Sequence, residues 1–278
     1  MKKIYLFILI IICSCSNDNS EDNNESLNKN YLKSYTLDGE SSTEFEYHKG
    51  LLTKETSQYL DLPKQETTYL YNDEGKLISE QFGLHKFSYL YDNQNRLIKK
   101  VRNGTNDFST LEYLTNKIIV TNFYENPKGT TNTIVSEVHI DDKGRITKTV
   151  QNTSTYSNQF LIHEFKYDSN NNVVQLAFKS NIDNTPDVVV NYKYDAKKNP
   201  LYYSYKNLYK SIYYFILSSE VLLGPIVPNN IISVSTSTGA TTTNLTYNIE
   251  NYPIKGVFSK YQDGSTSPLI GTISYEYY

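Results

Sequence analysis

One phrase limits what this chain can fold into more than any other: Tyr69-Leu-Tyr-Asn-Asp-Glu-Gly-Lys-Leu-Ile-Ser-Glu80, which reads as a strand, a short turn and a second strand. With Tyr71 as position zero, an aromatic stands two residues before it, a Gly four after and a Leu six after. The same register returns as Tyr89, Tyr91, Asn95, Leu97, as Val138, Ile140, Gly144, Ile146, and as Phe165, Tyr167, Asn171, Val173. Two later copies run Tyr192, Tyr194, Lys198, Pro200 and Leu245, Tyr247, Asn251, Pro253. Phe45-Glu-Tyr47 with Gly50 is a copy one residue shorter, and Tyr275-Glu-Tyr277 is a half copy. Residues two apart on a strand share a face, so the paired aromatics point the same way. The residues between them (Glu46, Leu70, Leu90, His139, Lys166, Lys193, Thr246, Glu276) are mostly polar. Each hairpin therefore has one apolar and one wet face.

The turns follow from local chemistry. Gly or Asn at the fourth position tolerates the positive φ that ends a type I turn with a bulge, and the Asp, Asn and Ser residues before it suit the turn corner. Lys198 breaks this rule and is expected to be strained or to sit in a different turn. Position zero recurs at regular intervals as far as Tyr194; the next interval, 53 residues to Tyr247, is close to two periods and predicts one disguised unit.

Tyr91-Asp-Asn-Gln-Asn-Arg-Leu97 and Tyr167-Asp-Ser-Asn-Asn-Asn-Val173 resemble the tyrosine-aspartate (YD, or Rhs) repeat, Tyr-Asp-x-x-Gly-Arg-Leu. Together with the N-terminus described next, the chain resembles the YD-like lipoproteins of Bacteroidota, some of which are described with a porin-like or barrel-like β fold. The resemblance spans residues 31 to 278 and implies a fold rather than an activity. True Rhs shells are much longer and enclose a toxin, and that role is not carried over.

Met1-Lys2-Lys3 precedes an unbroken apolar run from Ile4 to Ile12, too short for a bilayer-spanning helix and suited to a signal-peptide core. The run ends Ile12-Cys13-Ser14-Cys15, which resembles a bacterial lipobox. The small residue required before the modified Cys is Ser14, so cleavage is expected after residue 14, with diacylglycerol on Cys15. Several acyl chains on one residue give durable anchoring. Residues 15–30 have almost nothing to bury and read as a disordered tether. Its early acids, Asp18, Glu21, Asp22 and Glu25, resemble an acidic surface-export signal. The expected organisation is a signal peptide at 1–14, a lipidated Cys and tether at 15–30, and one repeat-built β domain at 31–278. The expected location is the outer membrane, lipid-anchored and exposed at the cell surface.

Within the domain, Leu201 to Ile226 departs from the pattern. Leu201, Tyr205, Leu208, Ile212, Phe215 and Leu222 fall at helical spacing and Gly224-Pro225 is a stop, which predicts a helix within Asn207–Leu222. Tyr202, Tyr203, Tyr213 and Tyr214 support two strands instead. As a helix, the segment is expected to cap or plug the curled sheet. The fold class is all-β: an antiparallel meander of hairpins curled into a barrel or strongly curved sheet with one helical insert. Its interior would hold Tyr69, Tyr71, Tyr89, Tyr91, Phe165, Tyr167, Tyr192 and Tyr194. An inverted arrangement, a membrane barrel with its apolar face outward, fits less well, because lipid-facing bands are mainly aliphatic and many strands look too short.

No set of residues here carries an evident reaction. His48, His85, His139 and His163 are scattered, and no phosphate loop or nucleophile motif occurs. Asp168-Ser-Asn-Asn-Asn172 opens like a calcium loop but lacks the central Gly, and Lys179 stands where Glu is needed, so it reads as a turn. Asp141-Asp142 is likewise a turn corner, and Glu44 and Glu46 a solvated face. No catalytic residue, metal or cofactor is expected. Loss of Lys2 and Lys3 would take the formal charge from −3 to about −5, which argues against nucleic acid as a partner. The expected partner is the membrane, through the N-terminal lipid, with a glycan or peptide ligand as a further possibility. Two function classes follow: a non-catalytic binding or structural lipoprotein, or a hydrolase of surface polymers with a converging carboxylate pair.

Overall fold

The structure, a computed structural model, describes residues 30–125, 129–152, 160–180, 186–219, 227–262 and 267–278. The expected signal peptide, both cysteines and nearly all of the expected tether lie outside these residues. The elements in chain order are β1 (Leu32–Leu37), β2 (Ser41–His48), β3 (Leu51–Tyr59), β4 (Gln65–Tyr71), β5 (Leu77–Phe82), β6 (His85–Tyr91), β7 (Leu97–Arg102), β8 (Phe108–Tyr113) and β9 (Lys117–Glu125). They continue as β10 (Thr131–Ile140), β11 (Ile146–Asn152), β12 (Phe160–Tyr167), β13 (Val173–Lys179), β14 (Val188–Lys198), α1 (Pro200–Ser219), β15 (Asn229–Thr236), β16 (Gly239–Tyr247), β17 (Pro253–Gln262) and β18 (Leu269–Tyr277). Each strand pairs antiparallel with the next, and β18 pairs with β1, so the 18 strands close into a barrel without a free edge.

Closure explains the half copy at Tyr275-Glu-Tyr277. Its missing second strand is β1. Leu32 pairs with Tyr277 as Leu77 pairs with Tyr71 and Leu97 with Tyr91. The ninth hairpin is thus assembled from the two ends of the domain, and the Tyr278 amide donates to the Tyr31 carbonyl at 3.1 Å.

The motif turns form as their chemistry requires. In the second hairpin the Asn72 amide donates to Lys76 O and the Gly75 amide to Asn72 O, both at 2.9 Å, with a bulge before Tyr71. Gly75, Asn95, Gly144, Asn171 and Asn251 all hold φ between 65° and 75°, the left-handed region that Gly and Asn enter at low cost. The short first copy uses a two-residue turn with Lys49 and Gly50 both at positive φ. Lys198 is not strained. It ends β14, which runs on into α1, so the tight turn of the other motif hairpins is absent there.

The helix is the main correction. It begins at Pro200, well before the expected Asn207, and is described as far as Ser219. Asn199 is its cap, with Oδ1 accepting the Leu201 amide at 3.1 Å, and Pro200 takes the first helical position, where a missing N–H costs nothing. The strand alternative suggested by Tyr202 and Tyr203 is therefore wrong. The interval from Tyr194 to Tyr247 hides no unit: β14 pairs with β15, and α1 is inserted into that hairpin's turn.

The inward face forms the core. Leu52, Leu77, Leu97, Ile118, Ile146, Val173 and Leu32 make a ring of aliphatic side chains just past the motif turns, each at most 3% exposed. Burying each such side chain contributes about 1.5–3 kcal/mol. All eight aromatics expected inside belong to the core or pack against it. The helix joins them from within the lumen through Tyr205 and Leu208, lying against β1, β3, β5 and β9–β11.

Candidate functional site

The repeat motif itself is spent on the fold. At position zero, the Tyr91 hydroxyl donates to Leu77 O at 2.6 Å, Tyr113 to Leu97 O at 2.9 Å, Tyr167 to Ile146 O at 2.7 Å, Tyr194 to Val173 O at 2.6 Å and Tyr277 to Pro253 O at 2.7 Å. Each tyrosine therefore clamps its hairpin to the one before it. Tyr47 repeats the contact across the closure, 3.0 Å from Leu32 O, and also meets Ser204 of α1 at 2.7 Å. The motif Asp locks its own turn: Asp92 Oδ1 accepts the Gln94 and Arg96 amides, and Asp141 Oδ1 those of Lys143 and Arg145. Arg96 and Arg145 bond the second carboxylate oxygen at 2.8 Å and lie over the next position-zero ring, 4.5 Å from Tyr113 and 4.6 Å from Tyr167.

The remaining sequence candidates fall into ordinary roles. Asp168 Oδ1 accepts the Asn170 and Asn172 amides, so the calcium-like stretch is a hairpin turn, as expected. The four His lie on four different strands, β2, β6, β10 and β12. His139 pairs with Glu137 at 3.3 Å on the outer wall. His163 points inward against Thr149, and burial holds its pKa below the ordinary value. Glu44 and Glu46 do have partners, Lys64 at 3.6 Å and Lys54 at 3.5 Å. Among the described residues, no group of three or more His, Cys, Asp or Glu could hold a metal ion.

The outer wall is charged along the strands. Lys54 bridges Glu46 and Glu66 across β2, β3 and β4; Lys117 meets Glu137 between β9 and β10; Glu164 joins Lys148 and Lys179 across β11 to β13. Such exposed pairs add little stability. Their weight lies in placement, since a Lys or Arg on a lipid-facing strand costs about 2–4 kcal/mol at mid-bilayer. Strands β4 to β8 have only six or seven residues, below the roughly 9–11 that cross a bilayer.

The lumen holds what sequence reasoning missed. Glu55 and Glu80 point inward, Glu55 accepting from Tyr69 and from Tyr205 of the helix, and Glu80 from Tyr89. Burial, and then the charge of Glu80, push the Tyr89 hydroxyl far above its ordinary range. The signal was available: Glu80 lies opposite Tyr69, and Lys100 opposite Tyr89, once the register is carried past the bulge into the second strand. Each of these carboxylates is engaged by tyrosine, Glu55 by Tyr69 and Tyr205 and Glu80 by Tyr89.

The search for similar proteins finds likeness only at the level of structure. No family model matches the chain, and no curated protein does. A porin-like protein from Bacteroides uniformis is similar over 89% of this chain and 96% of its own, with 13% identity and a TM-score of 0.36. One from Bacteroides vulgatus is similar over 89% and 99%, with 14% identity and a TM-score of 0.34. The Photorhabdus luminescens Tc holotoxin pore is similar over 83% of this chain and 12% of its own, with 12% identity and a TM-score of 0.31.

Several hollows border the lumen or its rim. Two are open depressions between loops at the end opposite the motif turns, of about 740 and 390 Å³. Their walls include side chains that stand in solvent, Leu84 fully exposed in the first and Tyr124 nearly half exposed in the second. A further hollow, about 280 Å³ and as open to solvent as the depressions at the rim, faces the lumen beside the start of α1, against β15–β18 and the end of β1. It exists because the helix packs to one side. At the position two before zero, Phe45, Tyr89, Leu111, Val138 and Phe165 are buried, whereas Tyr69, Tyr192, Leu245 and Tyr275 remain partly accessible.

Proposed function

We propose that the chain is a lipid-anchored protein displayed at the outer membrane, with a binding or structural role and no catalytic one. The observation that carries this reading is the charged outer wall. A barrel with Lys and Glu along its strands is built to stand in water, so attachment falls to another part of the chain, and Cys15 supplies the chemistry for it. The chain enters the barrel at Leu32, beside the motif turns and the start of α1, so the tether from Cys15 would join the barrel at that end. The membrane is the partner through this lipid; the mildly acidic charge offers nothing to nucleic acid, and no cofactor is invoked.

The test is the full chain expressed in a diderm bacterium with labelled palmitate. Wild type and Cys13→Ala should take up label and sediment with membranes, and external protease should reach them on intact cells. Cys15→Ala should lose both label and sedimentation. A Cys15→Ala protein that stays in membranes through an alkaline wash would mean that the barrel itself is embedded, and would overturn the reading.

A further inference from the structure

The 280 Å³ lumenal cavity has the composition of a binding site. Much of its strand-borne wall comes from the inward face: Thr241, Thr243 and Leu245 share parity with Tyr247, while Ile273 and Tyr275 share it with Tyr277. Phe258 and Leu201 of α1 complete an apolar surround. The volume is nearly twice that of a 150 Å³ apolar cavity that holds benzene, so about ten to twelve non-hydrogen atoms would fill it.

Two glycines keep the space open. A Cβ on Gly256 would lie 2.6 Å from Ile273 and 2.9 Å from Leu245, and a Cβ on Gly271 would lie 2.1 Å from the Phe258 ring. Any side chain at either place would drive these walls into the cavity. The polar groups are few. Among the described residues, no Lys, Arg, His, Asp or Glu lines the cavity. Behind Asn230 stands the carboxylate of Asp195, already engaged by the Asn230 carboxamide and the Tyr247 hydroxyl. Hydroxyls of Thr241, Thr243 and Tyr275 are what remains to meet a ligand. Pockets of this kind, apolar with a few oriented polar groups, are those that take small molecules.

We infer that the cavity between the start of α1 and strands β15–β18 binds a small, neutral, largely apolar molecule carrying one or two hydroxyl or carbonyl groups. A charged ligand is disfavoured because its charge would be desolvated without a countercharge. The inference deepens the binding reading above by naming the ligand class; it does not depend on Cys15, so a failure of the anchoring test leaves it intact.

The probe is 1-naphthol, which has about eleven non-hydrogen atoms, one hydroxyl and no charge at pH 7, and so matches the scaled volume. It is titrated by calorimetry and fluorescence into residues 30–278, which contain both partners of every strand pairing, in detergent-free buffer. Saturable one-to-one binding is expected. Tyr275→Phe keeps the ring and removes the hydroxyl, and should weaken binding about fivefold, the worth of one neutral hydrogen bond. Thr243→Phe and Thr241→Phe each place a ring in the cavity and should abolish binding; circular dichroism and thermal unfolding show which of the two remains folded. Ionised 1-naphthoate should bind at least about tenfold more weakly, for want of a countercharge. The inference is overturned if the folded barrel shows no saturable binding, if folded ring-bearing variants bind as wild type does, or if naphthoate binds as tightly as naphthol.

Discussion

The tyrosine clamp makes a paired prediction in which one residue serves as the control for another. Tyr194 donates to Val173 O at 2.6 Å, whereas Tyr71, at the same register position, has a buried hydroxyl with no partner. The exception has a local cause. Tyr71 should reach back to the preceding hairpin, and that hairpin has the shortened turn at Lys49-Gly50, with Leu52 rather than a sixth-position residue opposite Tyr47. Replacing Tyr194 with Phe removes a hydrogen bond and leaves a buried carbonyl, a cost of about 1–2 kcal/mol. Replacing Tyr71 with Phe removes a desolvated hydroxyl that bonds to nothing, and should be neutral or stabilising by up to about 1 kcal/mol. For a domain of this size the difference is roughly 4–8 °C in Tm. Urea unfolding followed by circular dichroism, at unchanged m, reads both variants on one scale. Equal destabilisation by the two substitutions, or none by Tyr194→Phe, would refute the clamp as the device that joins the hairpins.

Other consequences concern the core ring, the turns and the glycines. Leu77→Ala, at a fully buried site, should cost about 2–5 kcal/mol, while Leu70→Ala in the same hairpin, on the outer wall, should stay within about 0.5 kcal/mol by urea titration. Backbone and side-chain hydrogen bonds from Arg96 hold the Asp92 carboxyl below its ordinary pKa; for Asp141, burial would raise it, and the bonds from Arg145 outweigh that. A depressed folded pKa gives stability that is present above the ordinary carboxylate value and is lost as pH falls through the folded one. Urea midpoints between pH 5 and pH 2.5 should therefore fall less steeply for Asp141→Asn than for wild type; Asn72 already serves the same turn without a charge. Gly271→Ala, which sets a methyl against the Phe258 ring, should destabilise by about 1–3 kcal/mol, and Phe258→Leu in the same chain should recover part of that loss in thermal unfolding.

What could be read from the sequence was what is local. The register from Tyr47 to Tyr247 rests on a period of two and on turn residues with positive φ, and both act within a dozen residues. Asn199-Pro200 was a readable helix start, but the tyrosines at 202 and 203 carry strand propensity, and propensity gave way to the cap and to burial of Tyr205 against Phe45. Closure was harder. Leu32 and Tyr277 pair across nearly the whole domain, and no local pattern announces such a contact; the orphan half copy was its only trace. The inward acids Glu55 and Glu80 were hidden by the bulge, which shifts parity in the second strand of each hairpin. The cavity could not have been read at all, because it depends on which side of the lumen α1 occupies.

The direction in which the barrel faces is tested most simply by purifying residues 30–278 in buffer without detergent and measuring mass by light scattering alongside thermal unfolding. An aromatic interior and a charged outer wall predict a soluble, β-rich monomer that unfolds in one cooperative transition. A fragment that aggregates in buffer and yields β-rich circular dichroism only in detergent micelles would contradict the account, because its apolar surface would then have to face outward.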